Sequence, residues 1–377
     1  MRFVLFCHSL VSCWNHGNAH FLRGLARALS RLGHDVRVFE PAGGWSRANM
    51  RAADPHAEED FRLTFPDLSS EEYDPAGLDL DAALDGADVV LVHEWNEPSL
   101  AGRIGRLRAR GGGFLLFFHD THHRAVSRAE DMAAFDLSAF DGVLAFGEAL
   151  REVHARRGWG KRVWTWHEAA DTSLFQPRPE MARERDLVFV GNWGDGERSH
   201  ELREFIFGPV RCRGLSATVH GVRYPKQGLA AVRRSGAEYM GWLANQRVPE
   251  VFARHRMTVH VPRRLYARRL PGIPTIRVFE ALACGIPLLC SPWDDAEGLF
   301  RPGRDYLLAS SGRDMERKMR EVLRDEGLAD SLRQSGLETI RARHTCGHRA
   351  AELLDICAGL GREGRAARAI SATEAQA

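Results

Sequence analysis

Three imidazoles and a carboxylate share five positions of one short stretch, Phe117-Phe118-His119-Asp120-Thr121-His122-His123, directly after an apolar run. Ligands of alternating β/α chains collect at the carboxyl ends of strands. His119 and Asp120 are therefore the candidate catalytic pair. The imidazole would hydrogen-bond a substrate or, with its carboxylate neighbour, take a proton. His119 and His123 at i, i+4 would also suit a metal on a helix, and plain loop polarity explains the same residues without chemistry. A second constellation runs from Pro271 to Pro287. Pro274 and Thr275 start a helix there and Gly285 ends it, so Arg277 and Glu280 share a face. On a surface such a pair is worth about 0–1 kcal/mol. In a site the carboxylate can accept two neighbouring hydroxyls while the guanidinium holds phosphate.

Two glycine turns complete the set. His8 to Gly17 follows the first strand, and Asn18 opens a helix; Val188-Phe189-Val190-Gly191-Asn192-Trp193-Gly194 ends a later strand. A glycine at such a turn lets an anion approach free backbone N–H groups. A tight turn needs the same residue, so both alternatives stay open. No G-x-G-x-x-G is present, which argues against a dinucleotide cofactor. Arg263, Arg264, Arg268 and Arg269 precede the Arg277 helix and are either phosphate clamps or a solvated loop. Trp242, after Gly241, is either a stacking platform or a core residue. Asp79-Leu80-Asp81 has the D-x-D form of metal–diphosphate sites but falls at a helix start, where acids suit the dipole.

These groups need elements to position them. Phe3–Cys7, Val36–Phe39, Val89–His93, Phe114–His119, Val143–Phe146 and Val163–Trp166 read as strands, and a helix from about Asn18 to Leu32 follows the first. Residues 41–80, rich in Pro, Asp and Gly, read as loops with a short strand. The composition breaks at Asp171-Thr172-Ser173-Leu174-Phe175-Gln176-Pro177. The pattern then restarts with strands Leu187–Val190, Ala217–His220, Thr258–Val261 and Pro287–Ser291. Helices start near Pro249, Thr275 and Asp314, and Asp330 to Cys357 reads as two more. The fold class is α/β, with two Rossmann-like parallel-sheet domains facing across a cleft. The division is 1–170, a linker 171–185, 186–340, a helix 341–358 that crosses back, and a flexible tail 359–377.

Composition excludes several classes. The 377 residues exceed one ordinary core. With 44% apolar and 27% charged residues the chain is neither disordered nor fibrous. Lys+Arg 52 against Asp+Glu 50 leaves +2, with no field to attract nucleic acid. Seven cysteines, none in C-x-x-C, suit a reduced, cytoplasmic chain rather than a zinc module or secreted scaffold. No apolar run reaches membrane-spanning length.

At this point the sequence resembles a family. Gly17 with Leu25–Val36, Asp171–Pro177 and Phe279-Glu280-Ala281-Leu282-Ala283-Cys284-Gly285-Ile286-Pro287 look like the opening, interdomain signature and donor helix of GT-B nucleotide-sugar glycosyltransferases. Gly191–Asp195, Gly303–Leu307 and His344–Arg349 resemble the spore-maturation (CgeB-like) branch. The resemblance implies that a nucleoside-diphosphate sugar is bound by Gly17, Gly191, Asn192, Trp242, Arg263, Arg268, Arg277 and Glu280, with Glu280 on the ribose. It puts His119 at the reacting sugar and the acceptor, of unidentified class, on the N-terminal domain. No cofactor or metal is expected, and a slight lean to retention of anomeric configuration follows. One departure stands out: the acid that often lies eight residues before the donor-helix glutamate is Gly272 here. A sugar-nucleotide 2-epimerase of the same fold and an inactive nucleotide-binding scaffold are the alternatives.

Overall fold

Seven parallel strands build the first sheet of the computed structural model, which describes the backbone of residues 1–374 and side chains through residue 361. In chain order these are β1 (Arg2–Phe6), β2 (Asp35–Pro41), β3 (Glu71–Tyr73), β4 (Val89–His93), β5 (Leu115–Asp120), β6 (Gly142–Ala145) and β7 (Val163–Thr165). Their spatial order is β3-β2-β1-β4-β5-β6-β7, so the order reverses beside β1. The second sheet has six parallel strands: β8 (Arg185–Val190), β9 (Ala217–His220), β10 (Glu238–Gly241), β11 (His255–His260), β12 (Leu288–Cys290) and β13 (Leu307–Leu308). It is ordered β10-β9-β8-β11-β12-β13 and reverses beside β8. Crevices at such reversals are where α/β sheets bind ligands. Here the two crevices face each other.

Strand content explains the layering. β1 and β4 are apolar on both faces and sit between helices, as central parallel strands must. β10 and β13 were not expected from the sequence. The first is a largely exposed edge strand and the second has two residues, so neither carries an apolar pattern. Residues 41–80 hold more regular structure than expected: helices Trp45–Ala53 and Ala57–Thr64 besides β3. Each has a charged outer face and buries a few apolar groups, Met50 on one and Phe61 on the other.

The chain returns to its first domain at the end. Helix Glu326–Arg343 packs on helix Ile276–Ala283, and helix Cys346–Glu374 then lies on the N-terminal helix Ala19–Arg31. Ala170 donates to His344 O at 2.9 Å, Cys346 N donates to Ala170 O at 2.9 Å, and Trp166 Nε1 donates to Arg349 O at 3.0 Å. Close passage depends on Gly24, where any Cβ would lie 2.8 Å from Asp171 Cβ and collide with Cys346 Sγ. One apolar cluster joins Phe21, Phe175, Val278 and Leu353 across both halves. The Gly/Ala/Arg-rich segment from 359, expected as a flexible tail, continues this helix to Glu374; positions 375–377 lie outside the described residues.

Candidate active site

A cleft of about 600 Å³ runs between the carboxyl ends of the two sheets. The N-terminal side contributes the turn Cys13–Asn18 and the residues just past β4, β5 and β7; the C-terminal side contributes turns after β8, β9 and β11 and the start of helix Ile276–Ala283. The halves touch across it. Asn192 Nδ2 donates to Asn15 Oδ1, and Asn245 N donates to Cys13 Sγ at 3.2 Å. Among the described residues, the non-glycine positions with positive φ are Asn15, Asp195 and Arg223, and all three line this cleft. Backbone held in that region gathers at functional sites.

Five of the ten sequence-predicted residues reach the cleft from local junctions, namely Gly17, Gly191, Asn192 and Arg263 from turns and Arg277 from the start of helix Ile276–Ala283. Trp242 lines it as well, half-buried, with a buried Nε1 that has no protein partner. Gly17 is needed for close approach, since a Cβ there would sit 3.2 Å from Ile276 Cγ2 on the facing helix. Asn192 is fixed by its own Oδ1, which accepts from Val222 N at 2.9 Å.

Glu280 stands one layer behind the wall. Its carboxylate is fully buried: Asn245 Nδ2 donates to Oε1 at 2.6 Å and Arg277 pairs with Oε2. Burial alone would raise its pKa, but Arg277, His20 and Asn245 together hold it below the usual carboxylate range. Arg277 and Asn245 are the residues it presents to the cleft.

Three expectations are corrected. His119 and Asp120 do not line the cleft. β5 runs to Asp120, one residue beyond the expected end, so both side chains still alternate across the sheet. The His119 ring packs at 4.9 Å from Trp166 and 5.8 Å from Phe21, and burial with His93 nearby pushes its pKa well down. Asp120 is fully buried, and its Oδ2 bonds His154 Nε2 at 2.8 Å. The loop that reaches the cleft begins at Thr121 and His122. Arg268 is exposed near the end of helix Arg264–Arg269 and is not part of the cleft lining. Gly272 has φ +84, and the Glu297 carboxylate packs against it, with Oε1 3.0 Å from where a Cβ would be.

Sequence reasoning missed the strongest groups. Arg198 is a half-buried cation lining the cleft; its guanidinium donates to Asn192 O at 2.6 Å and to Val261 O, while its Nε is out of solvent with no partner. Burial, with Arg263 nearby, lowers its pKa to about 10. His260 lies beside it, its Nε2 3.1 Å from Thr275 Oγ1, and burial with Arg198 and Arg277 lowers its pKa to about 3. Glu168 lines the opposite side. Asn18 Nδ2 donates to its Oε1 at 2.8 Å, and burial raises its pKa to about 8, so it holds its proton at neutral pH. A strand-end position was the available signal for His260, and none marked Arg198. Among the described residues no group of three or more His, Cys, Asp or Glu side chains is arranged to hold a metal ion.

With this geometry in place, comparison with known proteins is informative. The family model described as Glycosyltransferase Family 4 matches residues 16–174, and the one described as Glycosyl transferase-like matches residues 198–355. No curated protein matches the sequence. Among solved structures, the sucrose-phosphate synthase of Thermosynechococcus elongatus is 15% identical, with TM-score 0.64 over 96% of this chain and 100% of that one. HepE of Anabaena, solved with UDP and glucose, is 13% identical, with TM-score 0.67 over 95% and 99%. An alpha-glucosyltransferase solved with UDP and a 13-mer DNA containing an HMU base is 13% identical, with TM-score 0.68 over 95% and 99%. No helix among the described residues is long and apolar enough to cross a membrane. Two facing parallel sheets, each covered by its own glycosyltransferase match, make this chain a glycosyltransferase of the GT-B fold.

Proposed function

We propose that the chain transfers a sugar from a nucleoside-diphosphate sugar, held mainly by the C-terminal domain, to a hydroxyl presented by the N-terminal one. Arg198 carries this reading. A half-buried guanidinium in the cleft wall that donates only to carbonyl oxygens, with no ion-pair partner among the described residues, is short of an anion. Arg263 and Arg277 line the same wall, and together they can neutralise a leaving diphosphate as charge develops on it. UDP in HepE and in the alpha-glucosyltransferase supports a uridine donor as the first to try. Glu280 reaches the ribose when Arg277 turns from it to phosphate, and Trp242 is placed to meet the base.

The transfer is metal-independent and leans to retention. The imidazoles on the N-terminal wall, His8, His16 and His122, are weak bases because burial lowers their pKa, His8 to about 4. Glu168 is protonated at neutral pH. A departing phosphate that takes the acceptor proton from its own face needs no protein base. The free cysteines, five of them buried, suit a reducing compartment such as the cytoplasm. Likeness to the CgeB-like branch belongs to the same proposal.

The test is a thermal-shift titration with UDP, GDP and ADP, repeated for Arg198→Met. At least one nucleotide should stabilise the wild type by mass action. The variant should bind about tenfold more weakly or worse, as expected for losing charge-assisted hydrogen bonds. No stabilisation by any of them, or an unchanged affinity in the variant, overturns the assignment.

A further inference from the structure

The two walls of the cleft differ in chemistry. The C-terminal wall carries Arg198, Arg223, Arg263 and Arg277. The N-terminal wall carries rings: Trp45 and His8 with centroids 5.0 Å apart, His8 and Trp95 at 6.2 Å, and Trp95 and His122 at 4.9 Å. Trp45 is 42% exposed, unusual for so large an apolar side chain beside a cleft. Its place at the first turn of helix Trp45–Ala53, after Gly43-Gly44, sets it at the mouth.

This wall has almost no usable charge. Of its lining residues Arg128 is ion-paired with Asp131 at 3.0 Å, and Glu168 holds its proton; Arg124, stacked over Trp95 at 4.3 Å and donating to Glu94 O, lies outside the lining. Phosphate-bearing acceptors, DNA included, need unpaired cations, and the lining residues of this wall offer none. Neighbouring rings are tilted by 34°, 46° and 63°, so they form no parallel slot for a flat aromatic. Two buried ring nitrogens, His8 Nε2 and His122 Nδ1, have no protein partner. An apolar guest would leave both unsatisfied, at a cost typical of buried polar groups. A pyranose meets every condition: an apolar C–H face for an indole and hydroxyls that donate to or accept from imidazole nitrogens.

We infer that this wall is the acceptor subsite and that its acceptor is an uncharged carbohydrate, stacked on Trp45 and hydrogen-bonded by His8 and His122. The inference rests on the donor reading above and names the acceptor class for the same cleft.

Saturation-transfer NMR tests it. The protein is saturated with UDP, and the probes are methyl glucosides, galactosides and mannosides, maltose and cellobiose. p-Nitrophenol and a short DNA duplex serve as rivals. At least one sugar should receive saturation on ring C–H protons of one face. Its apparent Kd should rise about fivefold or more in Trp45→Ala, in line with loss of an aromatic contact. Because Trp45 is exposed, that variant should fold, which its melting curve checks. His8→Leu, which keeps bulk but removes the ring nitrogens, should weaken the same sugar. The inference is overturned if no sugar binds while UDP still does, if only a rival binds, or if Trp45→Ala binds sugar as wild type does. Failure of every nucleotide instead defeats the donor reading beneath it.

Discussion

His20 Nδ1 lies 3.2 Å from Glu280 Oε1, so the first helix of one domain holds the donor-side carboxylate of the other. The tautomer follows from the far side of the ring, where Nε2 accepts from Asp171 N at 2.8 Å. The proton therefore sits on Nδ1, the nitrogen nearer the carboxylate. Interdomain segment, imidazole and Glu280 form one chain, with Arg277 at its cleft end. Glu280→Gln keeps the shape but leaves Arg277 without its counter-charge. Breaking such a pair should cost up to about 3 kcal/mol, less whatever water recovers at the partly exposed Arg277. Urea unfolding should show the loss, and nucleoside-diphosphate affinity should fall with it. Wild-type stability and affinity together would remove Glu280 from this role.

Two helical glycines should respond oppositely to alanine. Gly24 faces Cys346 and Asp171 with no room for a Cβ, so Gly24→Ala should destabilise by about 1–3 kcal/mol despite alanine's better helix propensity. Gly359, on the helix that crosses back, has open space around its would-be Cβ. Gly359→Ala should gain up to about 1 kcal/mol. Denaturant midpoints of the two variants decide it, and matching signs would refute the packing argument.

Stability should peak near pH 6.5. Burial lowers His8, His123, His220 and His344 from 6.5 to about 4, so their unfolded forms bind protons that the folded forms refuse. Stability therefore rises with pH from about 4 to 6.5. Burial raises Glu168 from 4.5 to about 8, the opposite case: the folded form keeps a proton the unfolded form has lost. Its contribution falls between 4.5 and 8, and above 6.5 no rising histidine term masks the decline. Melting temperature should drop between pH 6.5 and 8 in the wild type and stay flatter in Glu168→Gln. An equal slope in both would show that Glu168 is not the titrating group.

Legibility in the sequence followed locality. Gly17, Gly191 and Asn192 could be read because a strand–turn–helix junction fixes where their backbone goes, and Arg277 because it sits in the first turn of a helix with clear ends. Both sheets were legible for the same reason, through short apolar runs at regular spacing. Arg198, Glu168 and the ring wall were not. Arg198 sits in a polar stretch like any surface segment, and only the fold brings Val261 and Asn192 around it. Trp45, Trp95 and His122 come from segments after three different strands, and sequence separation hides their proximity. His119 is hidden because β5 runs on through Asp120, so its ring stays packed against Trp166 and Phe21 instead of turning out with the loop.

The last prediction concerns how the leaving diphosphate is neutralised. Metal-dependent transferases place a divalent ion on it; here three guanidinium groups, Arg198, Arg263 and Arg277, line the wall where it would lie. Asp79 caps its own helix, accepting from Asp81 N and Ala82 N, and lies outside the cleft lining, so the D-x-D has a structural task. Donor turnover, read as slow hydrolysis or as transfer, should therefore persist in EDTA. It should fall on substitution of the arginines: Arg198→Met should lower kcat more than it raises KM, because the charge it meets is largest in the transition state. Added salt should weaken nucleotide binding only modestly, since Arg198 is half-buried with its Nε out of solvent and is screened less than a surface group. Loss of turnover in EDTA with rescue by Mn²⁺ or Mg²⁺ would hand the diphosphate to a metal and leave the arginines a supporting part.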